Sequence, residues 1–179
     1  YMINFGLDAI SAARQLNNFG FTPKKPVVMS WSSGFEELIQ LDPAARENLI
    51  VGSNYYYTID NPDNKKFVEA YKKKFKGVPP GYAGAAGYGL MKMTLLGMQK
   101  SGSSDPQKVI TALEEHKGNN FVGDFEIRGR NHQTVRPFFV LQTKKKSEMK
   151  NQYDMAEVVD ISSTEQPKNI NMCKDIGSF

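Results

Sequence analysis

The segment SWSSG, residues 30–34, places three serines and the only tryptophan of the chain directly after the apolar run Val27–Met29. A serine on a sharp turn between a strand and a helix is the arrangement of a hydrolase nucleophile, with the pattern G-x-S-x-G. Ser32 occupies the serine position of that pattern, whose first glycine is missing here. Because Asp124 and His132 follow in the order of a hydrolase triad, a serine hydrolase using Ser32 is one interpretation.

The same segment also fits a ligand-binding site without catalysis. In open α/β sheets, ligands lie outside the carboxyl ends of the strands, where aromatic faces and hydroxyl groups can recognise them. Three predicted strand ends offer such side chains, namely Phe5, then Trp31 with Ser32 and Ser33, and finally Tyr55. Tyrosines 55–57 fit stacking on a ligand and packing at a domain junction equally well. We favour recognition, because no strong acid–base pair converges on these positions.

Other chemistries find little support in the sequence. His116 and His132 are the only histidines, and neither has a second ligand at a spacing typical of a metal site. No glycine-rich phosphate-binding motif follows a predicted strand. We therefore predict neither a metal nor a cofactor. Cys173 is the only cysteine, so it cannot form a disulfide within the chain, and its role stays open.

Composition narrows the class of protein further. The chain has 179 residues, and its hydrophobic content of 40% is sufficient for a buried core. No apolar run approaches the roughly 18 residues that cross a bilayer. The net charge is +4, and the densest lysine clusters lie at positions 72–76 and 144–146, one helix end and one turn. Such clusters are typical of a solvated surface, and we predict no nucleic-acid partner.

The first third of the chain alternates short apolar runs with amphipathic segments. The predicted strands are the end of a strand at Tyr1–Phe5, then Pro26–Ser30 and Leu49–Gly52. A helix from Ala9 to Asn18, with Asp8 as its N-cap, and a short helix ending at Pro43 lie between them. Strands that alternate with helices in this way indicate a doubly wound parallel sheet.

Three helices then follow without an intervening strand. They are predicted to begin at Asn61, at Tyr82 and at a capping box that opens with Ser104. Glycines within the long middle helix predict close approach to another element. The runs Phe121–Ile127 and Val135–Gln142 predict an antiparallel hairpin, and Met155–Ile161 predicts a further strand. Because no strand lies between these helices, they must pack on another part of the fold.

Three stretches carry a resemblance to a known family. They are GLDAISAARQLNNFGF, FVGDFEIRGRNHQTVRPFFVLQ and the most specific one, NPDNKKFVEAYKKKFKGVPPGYAGAAGYGLMKMTLLGMQKSGSSDPQKVITALE. Together they resemble the C-terminal half of type I periplasmic solute-binding proteins, in the branched-chain amino acid (Leu/Ile/Val) group of ABC transporter receptors. The tail, from Tyr153 onwards, is similar to the end of one subgroup. The resemblance covers nearly the whole chain.

The resemblance implies a fold of two doubly wound α/β lobes that close on a ligand. Residues 1–57 would belong to the second lobe, and residues 58–120 would form a helical segment of the first lobe. Residues 121–150 would return to the second lobe, and residues 151–179 would form a C-terminal strand and tail. On this basis we expect an incomplete, C-terminal fragment. Its exposed apolar face would be covered by a missing N-terminal segment or by an exchanged partner chain.

The resemblance also implies a function without catalysis. The chain would be the extracytoplasmic solute-binding component of an ABC transporter, periplasmic or extracellular in a bacterium, and made with a signal peptide that this chain lacks. Its partners would be a small organic solute and a membrane permease. A ligand-sensing regulator of the same fold is the alternative. The serine hydrolase remains the less favoured one.

The implied ligand-binding residues transfer to this sequence one at a time. Phe5 and Tyr82 match aromatic positions near the ligand, and Trp31 would enlarge that apolar surface. Ser32 falls where amino-acid receptors place a carboxylate that pairs with the ligand's ammonium group. Since an unpaired buried ammonium is costly, an aromatic or other organic acid, or an amide, becomes a candidate beside an amino acid. Glu36 or Glu37 would supply the carboxylate if the alignment shifts.

Overall fold

The computed structural model describes residues 1–29, 34–129 and 131–163. The helices in this part of the chain are α1 (Gly6–Asn18), α2 (Phe35–Leu38), α3 (Pro43–Arg46), α4 (Pro62–Lys74), α5 (Tyr82–Ser101) and α6 (Pro106–Leu113). The strands are β1 (Val27–Met29), β2 (Leu49–Ser53), β3 (Lys117–Asn120), β4 (Gly123–Ile127), β5 (Thr134–Val135), β6 (Pro137–Thr143) and β7 (Ala156–Ser163). The mixture of helices and strands confirms the predicted α/β class.

Four strands form the larger sheet, in the order β1-β2-β6-β7. Strands β1 and β2 are parallel, as the alternation of strands and helices predicted. Strand β6 is antiparallel to β2, and β7 is antiparallel to β6. Met2 adds an isolated parallel bridge to Met29 at the outer edge of β1. The sheet is therefore parallel on one side and antiparallel on the other.

The core lies against the middle of this sheet. Leu49 and Val51 of β2 and Phe139 and Leu141 of β6 are almost completely buried. They alternate with less buried residues along each strand, because successive side chains of a strand point to opposite faces. The apolar runs that predicted these strands therefore supply the core.

Two helix starts differ from the predictions. Helix α1 begins at Gly6 rather than at Ala9, and Asp8 lies in its first turn instead of at the N-cap. Asp8 can still stabilise the helix there, because a negative charge near the N-terminus complements the helix dipole. Helix α6 is capped by Asp105, which accepts from the Lys108 amide, and not by Ser104.

The predicted hairpin between residues 121–127 and 135–142 is wrong in its second strand. Strand β4 pairs with β3 on one side and with the two-residue β5 on the other. Strand β6 continues past β5 into the larger sheet, where it lies between β2 and β7. The long apolar run of β6 therefore fills the centre of the larger sheet instead of closing a local hairpin.

Helix α5 makes one close contact and leaves much of its surface exposed. A Cβ atom at Gly97 would lie 2.8 Å from Val109 Cγ1, so the glycine lets α5 approach α6, as predicted. Leu90, Met91 and Leu95 are 56–70% exposed, and they form an apolar surface on α5. None of the helices in the described ranges is long and apolar enough to cross a membrane.

Candidate functional site

Three segments meet beyond the carboxyl ends of β1 and β2. They are the segment that begins at Gly34, the end of β2 at Ser53, and the first turn of α5 at Tyr82. A Cβ atom at Gly34 would lie 3.3 Å from Ser53 Oγ and 3.4 Å from the Tyr82 ring. This is the edge of an α/β sheet at which ligands are usually bound.

The carboxylate of Glu36 joins two of these segments, because it binds the start of α5. Its Oε2 accepts from the Tyr82 amide at 3.1 Å, and its Oε1 accepts from the Ala83 amide at 3.0 Å. Both amides belong to the first turn of α5, where backbone N–H groups lack partners within the helix. Sequence reasoning missed this contact. The sequence gives one indication of this contact. The N-cap residue of α5 is Gly81, which has no side chain that could cap the helix.

Glu37 turns back toward Gly34, the N-cap residue of its own helix. Its Oε2 accepts from the Gly34 amide at 3.0 Å, and its Oε1 accepts from the Tyr82 hydroxyl at 3.4 Å. Glu37 is buried, and this burial raises the pKa of its carboxyl group above the ordinary value. Both carboxylates that follow β1 are therefore bound to groups of the protein itself.

We expect Glu37→Gln to stabilise the chain at pH 7–8, by on the order of 1 kcal/mol. The raised pKa means that ionised Glu37 destabilises the folded state as pH rises above 4.5, whereas a glutamine stays neutral. The glutamine oxygen can still accept from the Gly34 amide. Urea unfolding between pH 4 and 8 measures the difference, which should shrink toward pH 4. Equal curves for Glu37→Gln and the exposed control Glu69→Gln would contradict this expectation.

Tyr55 and Tyr82 line a cavity of about 350 Å³ beside α5. Its remaining lining is mostly apolar and includes Met93 and Phe121; the polar members are Asn54, Asn120, Thr134 and Arg136. Burial lowers the pKa of the Arg136 guanidinium below its usual value. The structure thus places two predicted site residues, Tyr55 and Tyr82, in the wall of one cavity, whose lining is mainly apolar.

The three neighbouring tyrosines pack at a junction of elements. The Tyr55 hydroxyl donates to Asn64 Oδ1 at 2.8 Å, and Tyr56 is fully buried. The Tyr57 hydroxyl donates to the Tyr153 carbonyl at 2.8 Å, and burial raises its pKa to about 12. Of the two interpretations of these tyrosines, packing at a junction describes Tyr56 and Tyr57. Tyr55 combines packing with a place in the cavity wall.

Of the other predicted site residues, the structure describes Phe5. Phe5 is the N-cap residue of α1 and is 55% exposed, at the carboxyl end of the segment that pairs through Met2. Trp31, Ser32 and Ser33 lie outside the described residues. Their ligand contacts therefore stay predictions.

The proposed hydrolase partners have other contacts. His132 Nε2 lies 2.9 Å from Glu114 Oε1, and Asp124 Oδ1 accepts from the Asn119 side chain at 2.6 Å. Within the described ranges, no group of three or more His, Cys, Asp or Glu side chains could hold a metal ion. The described geometry thus gives no support to the triad interpretation.

Comparison with protein families gives one match. The model of a periplasmic binding protein family matches residues 1–148, which is more than half of the chain. Among curated protein sequences, none matches the chain significantly.

Solved structures of several binding proteins resemble this chain. An amino acid ABC transporter substrate-binding protein from Pseudomonas fluorescens Pf-5 is 29% identical, with a TM-score of 0.86 over 92% of this chain and 44% of that one. A branched-chain amino acid transporter binding protein from Burkholderia xenovorans LB400 is 21% identical, with a TM-score of 0.75 over 89% of this chain and 42% of that one.

A third match is a solute-binding protein from Rhodopseudomonas palustris BisB5 in complex with 3,4-dihydroxybenzoic acid. It is 18% identical, with a TM-score of 0.71 over 89% of this chain and 43% of that one. At their level of identity, the Burkholderia and Rhodopseudomonas structures show the fold alone. In all three comparisons, this chain covers less than half the length of the matching protein.

The matching family and structures are solute-binding proteins and not enzymes. This confirms the prediction of a chain without catalytic activity and leaves the Ser32 hydrolase without support. It also confirms the resemblance drawn from the sequence. The chain belongs to the periplasmic binding protein family.

Proposed function

We propose that the chain is part of the solute-binding component of an ABC transporter, which closes two lobes around a small organic solute. The family match and the similarity to transporter binding proteins support this function. The proposed partner is a membrane permease, to which the bound solute is delivered. The proposed location is extracytoplasmic, periplasmic or extracellular, in a bacterium.

The proposed division into lobes follows the boundaries drawn from the sequence. Strands β1 and β2 from residues 1–57 share one sheet with β6 from residues 121–150, which supports one lobe for both segments. Residues 58–120 would belong to the other lobe. The apolar surface of α5, with Leu90, Met91 and Leu95, supports this because it needs a covering partner. We propose the rest of that lobe as the partner, with an exchanged chain as the alternative.

We further propose an organic acid or amide without an ammonium group as the ligand. The carrying observation is that the carboxylates of Glu36 and Glu37 are engaged by the α5 amides, Gly34 and Tyr82. A ligand ammonium would have to compete with these contacts for a negative partner. Burying it without one costs several kcal/mol. Phe5, Trp31, Ser32, Ser33, Tyr55 and Tyr82 are the proposed ligand-binding residues.

A thermal-shift series tests this ligand class. We expect 3,4-dihydroxybenzoate or a related aromatic acid to raise the melting temperature of the protein more than L-leucine does. A ligand at about 100 times its Kd adds roughly 2.7 kcal/mol to the free energy of unfolding, which is several degrees for a chain of this size. Acetate at the same concentration is the control for ionic strength. A larger shift with L-leucine would contradict the proposed ligand class, and no shift with any solute would contradict solute binding.

A further inference from the structure

We propose that Glu36 is a positioning residue that clamps helix α2 onto the first turn of helix α5. We also propose that residue 81 is a glycine because only a glycine leaves room for this clamp. The Glu36 clamp consists of the carboxylate of Glu36, Gly81, and the amides of Tyr82 and Ala83.

The first support is that the N-cap residue of α5 has no side chain to accept from the first amides of the helix. The first amides of a helix find no carbonyl partner within it, and a side chain of the N-cap residue usually accepts from them. Gly81 is the N-cap residue of α5 and provides no such side chain. Glu36 instead provides both of its oxygens from 46 and 47 positions away in the sequence. Its negative charge also complements the positive end of the helix dipole.

The second support is the space at position 81. A Cβ atom there would overlap the carboxylate of Glu36, so this end of the side chain would have to move. The backbone does not require a glycine, because φ is −92° and ψ is −174°, an extended conformation that other residues adopt. An alanine at this position would therefore act by displacing the Glu36 carboxylate from the two amides.

The clamp has a consequence for the binding site. Helix α2 directly follows residues 30–33, which carry three of the proposed ligand-binding residues. Since Tyr82 is a clamped residue, the clamp sets the spacing between α2 and Tyr82. In the proposed division α2 and α5 belong to different lobes, so the clamp also holds the lobes together on closure. This consequence rests on the proposed function, whereas the contact itself does not.

Amide exchange in the full chain tests the clamp. We expect Glu36→Ala to speed exchange at the Tyr82 and Ala83 amides by about tenfold, since each loses its acceptor. Gly81→Ala should give the same change, although it removes no hydrogen-bonding group. Glu36→Gln, which keeps one acceptor oxygen, should fall between these variants and the native chain. Glu69→Ala, which removes an exposed carboxylate from α4, is the matched control and should change neither amide.

The double variant separates the clamp from a local effect of the alanine. With Glu36 already absent, Gly81→Ala should change exchange at Tyr82 and Ala83 by less than about twofold. An equal effect of Gly81→Ala with and without Glu36 would overturn the proposal, as would full protection of both amides in Glu36→Ala. Solute binding is scored separately, in the thermal-shift series. A chain with the expected exchange pattern that binds no solute would keep the clamp and lose the proposed function.

Discussion

Replacing Phe67 by alanine is expected to lower the free energy of unfolding by about 3–5 kcal/mol, as for other buried phenylalanines. Phe67 is 8% exposed, and its ring lies at the centre of an aromatic cluster. The cluster contains Tyr55, Tyr71, Tyr88 and Phe121, and the Tyr88 ring stacks on Phe67 with a centroid distance of 4.4 Å. Loss of the central ring would leave four rings around an empty space. Urea unfolding followed by circular dichroism measures the change.

Phe75 is the matched control for this substitution. It follows α4 directly, as its C-cap residue, and is 45% exposed. We expect Phe75→Ala to cost less than about 1 kcal/mol, because much of the side chain already contacts solvent. Equal losses in the two variants would contradict the role of Phe67 as the centre of the cluster.

Asn64→Leu is expected to destabilise the chain by about 3 kcal/mol, without removing side-chain volume from the core. Asn64 is fully buried, accepts from the Tyr55 hydroxyl, and donates to the carbonyls of Tyr57 and Ile59. A leucine leaves the Tyr55 hydroxyl and the Tyr57 carbonyl without this partner, whereas the Ile59 carbonyl still accepts from the Asn61 amide. Each buried unsatisfied group costs about 1–3 kcal/mol when water cannot replace the lost partner. Chemical denaturation measures the loss.

A second substitution identifies the cause of that loss. Tyr55→Phe removes one of the stranded groups, so in the Asn64→Leu background it should restore about 1 kcal/mol. Asn119→Ala, at an exposed asparagine, is the control and should cost less than about 1 kcal/mol. A Tyr55→Phe change that is equally harmful in both backgrounds would show that the hydroxyl bond is not the source of the effect.

Much of the larger sheet could be predicted because its strands have a recognisable local sequence pattern. Val27–Met29 and Leu49–Ser53 are apolar runs bounded by polar residues, which is how buried strands are recognised. Strand β3 was missed because its sequence, KGNN, has no apolar alternation. It is a strand through its pairing with β4, a tertiary contact that local sequence does not encode.

The candidate site was less accessible from sequence. The resemblance indicated Tyr82, and the structure places Tyr82 at the meeting point of the three segments. It could not indicate that Glu36 holds the start of α5, because the contact joins residues 46 and 47 positions apart. Sequence periodicity reports the neighbours of a residue along its own helix or strand. A contact between two elements becomes visible when their packing is known.

The central position of β6 has a consequence for how the chain folds. Leu49 and Thr143, hydrogen-bonded across β2 and β6, lie 94 positions apart. Closing so long a loop costs chain entropy before the pairing repays it, and such non-local pairings slow folding. During synthesis, β2 has an open edge until β6 leaves the ribosome. The larger sheet is therefore completed late, and the interval before that is when the nascent chain is most exposed to pairing with a wrong partner.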